Sequence, residues 1–267
     1  ELEVTFRNRF SRYLNAFLTI MHSAARDKIL YMEDPPLLPN YQKQEGYQIN
    51  QVRTQMDAGY VNNWDDVYSA TGYATGNIAR VPGEYRIVDF NGDGIIDAAD
   101  AAPNAYPQDR PQHNYTLMLG GEYKGLSLRL QFYGVYNVTR QYSWQIHPFG
   151  NLAQTGPALK EFADNSWTPD HMDAKYRSVV INQQAEQSLG RFAYDDGSSF
   201  RLKTAEIGYT LNKGASKLLG LNSLRFFLNG NNLFLWSKMV DDREGGYSAG
   251  GIYPLVKRFN FGINVKF

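Results

Sequence analysis

The sequence predicts an all-β fold, an antiparallel transmembrane β-barrel segment with long external loops. Apolar and polar residues alternate along several runs, so each predicted strand has one apolar and one polar wall. Several runs reach the ~9–11 residues that cross a bilayer as tilted strands, whereas strands of soluble proteins usually have about 5–6. The 267 residues include 19 Tyr and 15 Phe, although the mean hydropathy is only -0.48. A soluble β-sandwich is the alternative, because its strands alternate as well.

The strands follow from this alternation in chain order, and they number about eight at the usual span length. The runs are Leu2 to Phe6, Tyr13 to Met21, a weaker one from Gly46 to Arg53, Tyr115 to Tyr123, Leu126 to Val138, Phe200 to Leu211, Leu224 to Leu233 and Leu255 to Phe267. Lys124 and Gly125 between two runs predict a hairpin. The apolar parity switches between Leu202 and Ala205, which predicts a bulge.

The last run gives the clearest alternation in the chain. One parity carries aromatic and branched residues, namely Leu255, Phe259, Phe261, Ile263, Val265 and Phe267. The other parity carries Arg258, Asn260 and Asn264. The strand therefore has an apolar wall and a polar wall over its whole length.

Connection lengths predict the orientation of the strands. If the last strand ends at the periplasmic face, Lys124-Gly125 and Asn212 to Asn222 become periplasmic turns. The stretch before Tyr115, Thr139 to Ser199 and Phe234 to Pro254 then become external loops, and these are the long connections, as in outer-membrane barrels.

The predicted external loops are rich in aromatic residues that offer rings for stacking on a sugar or packing against a partner protein. The candidate ligand-binding residues are Tyr142, Trp144, Trp167, Trp236 and Tyr247. The alternative is that these rings belong to the aromatic girdle of the barrel or to the packing of ordered loops.

Residues 89–100 form the most specific local motif. Oxygen-bearing side chains occupy loop positions 1, 3, 5, 9 and 12, glycine occupies position 6, and position 7 offers a backbone carbonyl. The candidate calcium ligands are Asp89, Asn91, Asp93, Ile95, Asp97 and Asp100. Aspartate at position 12 is one methylene shorter than the usual glutamate, which makes bidentate closure less assured. The alternative is a turn closed by Asx hydrogen bonds.

Composition excludes several classes of protein. The 27 basic and 27 acidic residues cancel, so no global field favours nucleic acid. The absence of cysteine excludes a disulfide scaffold, a Cys-ligated zinc site and a thiol enzyme. His22, His113, His147 and His171 show no HExxH or paired spacing, and there is no Walker loop or GxSxG motif. We therefore predict no enzymatic activity.

Several stretches, taken together and in order, resemble the C-terminal barrel part of SusC/RagA-family TonB-dependent outer-membrane transporters. They are Glu45-Gly46-Tyr47, Pro82-Gly83-Glu84-Tyr85 running into Asp89 to Gly94, Asn165-Ser166-Trp167-Thr168-Pro169, Phe200 to Lys203, Ile207 to Leu211, Gly230 to Leu233 and Tyr253 to Phe267. The resemblance implies a barrel of about 22 strands, an N-terminal plug that contacts TonB, and a SusD-like surface lipoprotein lid.

The chain departs from the family by lacking a plug and a TonB-contacting segment, and about eight strands are too few for a wide transport barrel. Residues 1–267 are thus expected to be the C-terminal portion of a transporter in the cell outer membrane. The chain would border the outer-membrane lipid and need the remainder of the same barrel to pair its open edges.

The resemblance also implies import of oligosaccharides or peptides with TonB-derived energy. Inward polar positions would then line the lumen, or merely hydrate a packed interior, and they are Arg129, Gln131, Arg225, Asn229, Arg258, Asn260 and Asn264. The terminal strand, with Phe261, Ile263, Val265 and Phe267, would be the assembly signal. Two rivals stay open, a small self-contained barrel acting as an adhesin or structural protein and a soluble calcium-dependent carbohydrate-binding module.

Overall fold

A seven-stranded antiparallel sheet forms the main part of the computed structural model. The structure describes residues 1–74, 81–108, 110–141, 160, 164–178, 194–239 and 255–267. We call this sheet the wall. The order of its strands across the sheet is the same as their order along the chain. They are β1 (Leu2–Arg9), β2 (Leu14–Ala24), β3 (His113–Tyr123), β4 (Leu126–Tyr136), β5 (Ser199–Thr210), β6 (Ser223–Ser237) and β7 (Arg258–Lys266). The predicted antiparallel β-fold is confirmed.

Connections at the two ends of the wall differ in length. Residues 10–13, 124–125 and 211–222 join strands at one end, which we call the short-connection end. Residues 25–112, 137–198 and 238–257 join them at the other. Antiparallel neighbours reverse direction at alternate ends of the sheet, so successive connections lie at opposite ends. The long connections therefore all lie at one end and the short ones at the other, as the strand count predicted.

A bulge interrupts β5 where the sequence predicted one. Leu202 pairs with Phe132 and Thr204 with the adjacent Gln131, so Lys203 is an extra residue relative to β4. On the other side, Leu202 pairs with Phe234 and Thr204 with Asn231, so the extra residue relative to β5 lies on β6. An extra residue moves the following side chains to the opposite parity, which explains why Phe200 and Ile207 can share a face of the wall.

The weak run from Gly46 to Arg53 does not join the wall, so the prediction of about eight wall strands is corrected to seven among the described residues. Only Val52–Thr54 is extended, and it pairs with Ala102–Ala105 in a separate two-stranded sheet. Gly46 and Asn50 have positive φ angles of 90° and 58°, which break an extended backbone.

The described residues of the connections 25–112 and 137–198 form a second unit, which we call the loop body. Its short strands are Val52–Thr54, Asp57–Tyr60, Gly72–Tyr73, Tyr85–Ile87, Ile95–Ile96, Ala102–Ala105, Thr139–Gln141 and Tyr194–Asp196. A helix α1 (Trp64–Ser69) and a 3-10 helix (Ala98–Asp100) complete it, and a helix α2 (Lys213–Leu218) lies in the connection from β5 to β6. Tyr85, Ile87, Ile96 and Tyr176 form its buried hydrophobic cluster.

No helix among the described residues is both long and apolar enough to cross a membrane.

Candidate functional site

The two faces of the wall carry different chemistry. In register, Arg129 lies opposite Gly120 and Glu206, and Glu206 lies opposite Asn229. Paired residues on neighbouring strands point to the same side of a sheet. The polar side, which we call the inner face, therefore holds every candidate lumen residue, namely Arg129, Gln131, Arg225, Asn229, Arg258, Asn260 and Asn264. Their role in lining a lumen stays a prediction.

Cross-strand polar contacts follow this face from β1 to β7. They join Thr5 to Thr19 at 3.1 Å, Thr204 to Asn231 at 3.3 Å and Asn260 Nδ2 to Asn229 Oδ1 at 2.8 Å. Arg225 donates to Glu206 at 2.7 Å and to Ser127 Oγ at 3.4 Å. These side chains satisfy one another, so the inner face is largely polar, although Phe17, Met118 and Phe227 also lie on it.

Basic side chains outnumber acidic ones on the inner face. The basic members are Arg7, Arg9, Arg129, Arg201, Arg225, Arg258 and Lys266, and the acidic members are Glu3, Glu122 and Glu206. The sequence reasoning missed those on β1, although the alternation of Leu2, Val4 and Phe6 with Glu3, Thr5 and Arg7 contains the signal.

A cavity of about 940 Å³ lies on the inner face near the short-connection end. Its lining includes Arg7, Arg9, Phe17, Glu122, Arg129 and Arg225. The volume falls within the range of ligand-binding clefts, about 300–1,000 Å³. The wall thus forms a concave surface with predominantly basic side chains.

The opposite face, which we call the outer face, contains no Asp, Glu, Lys or Arg on the described wall strands outside the bulge at Lys203. Large apolar side chains are exposed along its length, including Val4, Ile20, Leu128, Ile207 and Leu228. An apolar surface of this extent marks contact with lipid or protein.

Aromatic side chains concentrate at both ends of the outer face. Phe132 stacks on Phe200 with 5.4 Å between ring centroids. The ring centroid of Trp236 lies 6.1 Å from those of both Phe200 and Phe234. Trp236 therefore belongs to an outer aromatic belt rather than to a loop, which supports the girdle alternative for this residue. Tyr123 and Tyr209 lie at the short-connection end.

The outer face also brings together two histidines that the sequence placed apart. His22 Nε2 lies 3.1 Å from His113 Nδ1, and both rings stack with Tyr115. A hydrogen bond between the imidazoles satisfies one nitrogen of each ring on a face that lacks charged groups. Histidine spacing did not predict this pair, because 91 residues separate its members.

The terminal strand places Phe261, Ile263 and Val265 on the outer face, where their side chains are exposed. Phe267 follows the last residue of β7 and is 89% exposed. The position of these residues agrees with the predicted apolar wall, and their role as an assembly signal stays a prediction.

Trp167 is buried in the loop body and is 7% exposed. Its indole Nε1 donates to Asn62 Oδ1 at 3.1 Å. Its ring packs so close to Gly83 that a β-carbon at that position would clash with it. The prediction that Trp167 offers a free ring to a ligand is thus corrected to a packing role, because its faces are covered by the protein. Tyr142, Trp144 and Tyr247 lie outside the described residues.

Contacts between the two long connections of the loop body include four made by residues 164–178. One is the Trp167 bond to Asn62; in the others, Ser178 N donates to Gly83 O at 2.9 Å, Tyr60 Oη donates to Ala174 O at 2.9 Å, and Arg177 pairs with Glu84 at 2.8 Å. Burial raises the pKa of Glu84, although the Arg177 guanidinium opposes the shift. These contacts hold two distant segments of sequence as one unit.

Residues 89–100 fold into a turn that its own backbone N–H groups stabilise. Asp89 accepts from Gly92 N and Gly94 N, each at 2.7 Å. Asp100 is fully buried and accepts from Phe90 N at 2.7 Å and Asp97 N at 2.8 Å. The described part of the chain contains no group of three or more His, Asp or Glu side chains that could hold a metal ion. Calcium binding by Asp89, Asn91, Asp93, Ile95, Asp97 and Asp100 stays a prediction.

The oxygen-only donor set of this turn suits a hard cation such as calcium. Asp89 and Asp100 are the members most engaged already, because Oδ1 of Asp89 accepts from Gly92 N and Asp93 N, and Oδ1 of Asp100 accepts from Phe90 N and Asn91 N. Asp93 is exposed and its Oδ2 accepts only from the Asn91 amide among the described residues. A cation would therefore meet the exposed Asn91 and Asp93 first, whereas Asp89 and Asp100 already stabilise the turn through backbone N–H groups.

Comparison with known proteins gives two curated relatives, both from Formosa agariphila. The chain is 27% identical over 207 residues to TonB-dependent receptor P26 and 26% identical over 204 residues to TonB-dependent receptor P3. Each match covers 70% of this chain, and 20% and 19% of the respective receptors, so the chain spans about a fifth of their length. No family model matches the chain.

Solved structures of the RagAB peptide importer have the same fold. The RagAB peptide transporter superimposes with a TM-score of 0.71 at 17% identity, covering 99% of this chain and 28% of that one. The closed-closed state gives a TM-score of 0.67 at 18% identity, with coverage of 99% and 29%. These relatives are receptors and importers, which is consistent with the predicted lack of enzymatic activity, and the resemblance drawn from the sequence is confirmed.

Proposed function

We propose that this chain, a part of a SusC/RagA-like TonB-dependent transporter, supplies a section of the barrel wall and several external loops of an outer-membrane nutrient importer. Its cargo would be oligosaccharides or peptides, and TonB would supply the energy through a plug encoded elsewhere in the protein. The RagAB structures are of a peptide importer, which supports peptides as one class of cargo.

The two-faced wall carries this proposal. Seven neighbouring strands present an apolar face without charged side chains outside the bulge at Lys203, with aromatic residues at both ends, and a largely polar face. A soluble sandwich must bury its apolar faces against each other, whereas a membrane barrel exposes them to lipid and keeps polar residues inside. The wall matches the second arrangement.

The partners follow from the same proposal. The edges of β1 and β7 pair with the remainder of the same barrel, because unpaired backbone groups in lipid cost several kcal/mol each. The loop body lies at the long-connection end, where a SusD-like surface lipoprotein would close over the barrel. Its apolar residues Leu30, Tyr31 and Leu37 are exposed and available for such a contact.

The test is to extract the native polypeptide from membranes and determine its denatured intact mass. We expect a requirement for detergent and a mass several times 30.4 kDa, with peptides that map upstream of Glu1. A protein that stays in solution without detergent would support the soluble module instead. A mass near 30.4 kDa would leave either a natural split barrel or a small self-contained one.

Uptake assays then test import itself. Cells that lack the transporter should lose uptake of one oligosaccharide or peptide pool, and cells that lack TonB should show the same loss. Uptake that continues unchanged without TonB would contradict the energy source.

We also propose that calcium orders residues 89–100. Calcium at about 100 times its dissociation constant would stabilise the loop body by about 2.7 kcal/mol. Asp93→Asn should remove this effect, whereas Asp66→Asn, in helix α1, should keep it. Equal calcium-dependent protease resistance in both variants would show that Asp93 is not a ligand, and protease resistance that does not change with calcium in the unsubstituted protein would show that the turn needs no cation.

A further inference from the structure

We propose that Arg12 and Lys124 bind the phosphate of a phospholipid headgroup at the short-connection end of the wall, beside the ring of Tyr13. The inference rests on the proposed function only for the position of the wall in the outer membrane, and it adds a lipid-binding site to that function. The site lies on the rim of the outer face, away from the cavity of the inner face.

The short connections of the wall carry positive charge only. They are residues 10–13, 124–125 and 211–222, and they contain no Asp or Glu. Their basic residues are Arg12, Lys124, Lys213 and Lys217. This end of the wall is therefore cationic, although the whole chain has no net charge, and basic residues at a membrane surface attract anionic lipid.

Two of these cations border one aromatic ring. The guanidinium carbon of Arg12 lies 5.7 Å from the centroid of the Tyr13 ring, and Lys124 Nζ lies 5.6 Å from the same centroid. Lys124 Nζ also lies 5.3 Å from the centroid of the Tyr123 ring. These are cation–π distances. All four side chains are exposed, and we call Arg12, Tyr13, Tyr123 and Lys124 the rim cluster.

Backbone hydrogen bonds hold the two halves of the rim cluster together. Ser11 Oγ accepts from Tyr13 N at 3.2 Å and from Leu14 N at 3.1 Å, which closes the turn between β1 and β2. Lys124 N donates to Tyr13 O at 3.4 Å and so joins that turn to the hairpin of β3 and β4. The position of the two cations beside the same ring is thus fixed by the fold.

No carboxylate of the described residues neutralises the rim cluster. Neither Arg12 nor Lys124 forms an ion pair with another described residue. The acid nearest to Lys124 in the sequence is Glu122, which pairs with Ser127 on the inner face, whereas Tyr123 points to the outer face. Both positive charges are therefore open to an anion from outside the chain.

The surroundings of the rim cluster favour a lipid as the source of that anion. Tyr123 pairs with Leu14 and Leu126, and Leu126 pairs with Tyr209, so the cluster borders the apolar outer face. Tyrosine rings lie at the level of the headgroups in membrane proteins, and the stems of Lys and Arg follow apolar surface while their charges reach the polar layer.

The rest of the same protein would not cover this position. The hairpin that carries Tyr123 and Lys124 joins β3 to β4, and the edge strands that need further partners are β1 and β7. A plug would lie on the inner face, on the other side of the wall. A phospholipid would place its acyl chains on the outer face and its phosphate at the rim cluster, whereas free phosphate would gain only the charge contacts.

Lipid binding to the intact transporter in detergent tests the inference. The delipidated protein is titrated with dioleoylphosphatidylglycerol or with dioleoylglycerol, which has the same chains without the phosphate, and native mass spectrometry counts the bound lipids. We expect phosphatidylglycerol to bind about tenfold or more tightly, because each Lys or Arg at a membrane surface contributes about fivefold to the affinity for anionic lipid.

Variants identify the residues responsible. Arg12→Gln and Lys124→Asn should each weaken phosphatidylglycerol binding about fivefold and leave dioleoylglycerol binding unchanged. Asparagine fits the backbone at position 124, because Lys124 has a φ of 48° and asparagine adopts positive φ more readily than most residues. Lys213→Gln is the matched control, since it removes a positive charge from the same end of the wall but lies in helix α2, outside the rim cluster. It should leave the affinity unchanged.

Inorganic phosphate distinguishes a lipid site from a general anion site. An excess of inorganic phosphate should displace little of the bound phosphatidylglycerol, because it lacks the acyl chains that contact the outer face.

Three results would overturn the inference: equal binding of the two lipids, equal effects of Arg12→Gln and Lys213→Gln, or complete displacement of phosphatidylglycerol by inorganic phosphate. The second result would show that the charge of the whole end acts on lipid without a defined site. A transporter that stays in solution without detergent would contradict the proposed function instead.

Discussion

Replacing Gly83 by alanine should destabilise the loop body, because the added methyl group would occupy space in which the two long connections pack against each other. Gly83 has a φ of 94°, and an added β-carbon would lie 2.6 Å from Ser178 Cβ and closer still to the Trp167 ring. The first term is backbone strain, because a side chain disfavours positive φ by about 1 kcal/mol. The second is overpacking, which typically costs about 1–3 kcal/mol.

Gly59→Ala separates the two terms. Gly59 has nearly the same φ, 95°, but nothing lies within 4 Å of its added β-carbon. We expect a loss of about 1 kcal/mol in Gly59→Ala and about 2–4 kcal/mol in Gly83→Ala.

Hydrogen exchange of the Ser178 amide measures the difference, because this N–H donates to Gly83 O across the contact. Since about 1.4 kcal/mol corresponds to a tenfold change, Gly83→Ala should accelerate exchange about 30-fold or more and Gly59→Ala about fivefold. Equal acceleration in the two variants would refute the reasoning, since only backbone strain would then matter.

Three further predictions address the wall and the loop body. Leu130→Arg, on the outer face at mid-strand, should make membrane insertion about 2–4 kcal/mol less favourable, whereas Gln131→Arg on the inner face should be tolerated. Equal membrane yields of the two variants would contradict the assignment of the faces. The pKa of Glu84 is raised by burial, so its contribution to stability is full below its ordinary value of 4.5 and is lost as pH rises through the raised value. Protease resistance of the loop body should fall across that window and become less pH-dependent in Glu84→Gln, and a steeper dependence in the variant would disprove this. Deleting Phe267 should impair barrel assembly, and normal outer-membrane levels of the deletion would count against it.

Alternation in the sequence was sufficient to predict the wall. Side chains on a strand take opposite faces, so the parity of β7 fixed its apolar and polar walls before any partner strand was known. The bulge at Lys203 was visible as a parity switch for the same reason. The run from Gly46 to Arg53 was wrongly predicted as a wall strand. Its composition allows a strand, but the positive φ angles of Gly46 and Asn50 are typical of turns.

Sequence by itself determined the strands, their faces and their order, since these depend on local periodicity and on connection length. Only the tertiary structure placed His22 beside His113, buried Trp167 against Gly83, and set Lys124 over the Tyr13 ring. Those relations depend on register and on contacts between residues far apart in the chain. No periodicity within a single strand encodes them, because each strand specifies which way its side chains point but not which residue of the neighbouring strand lies beside them.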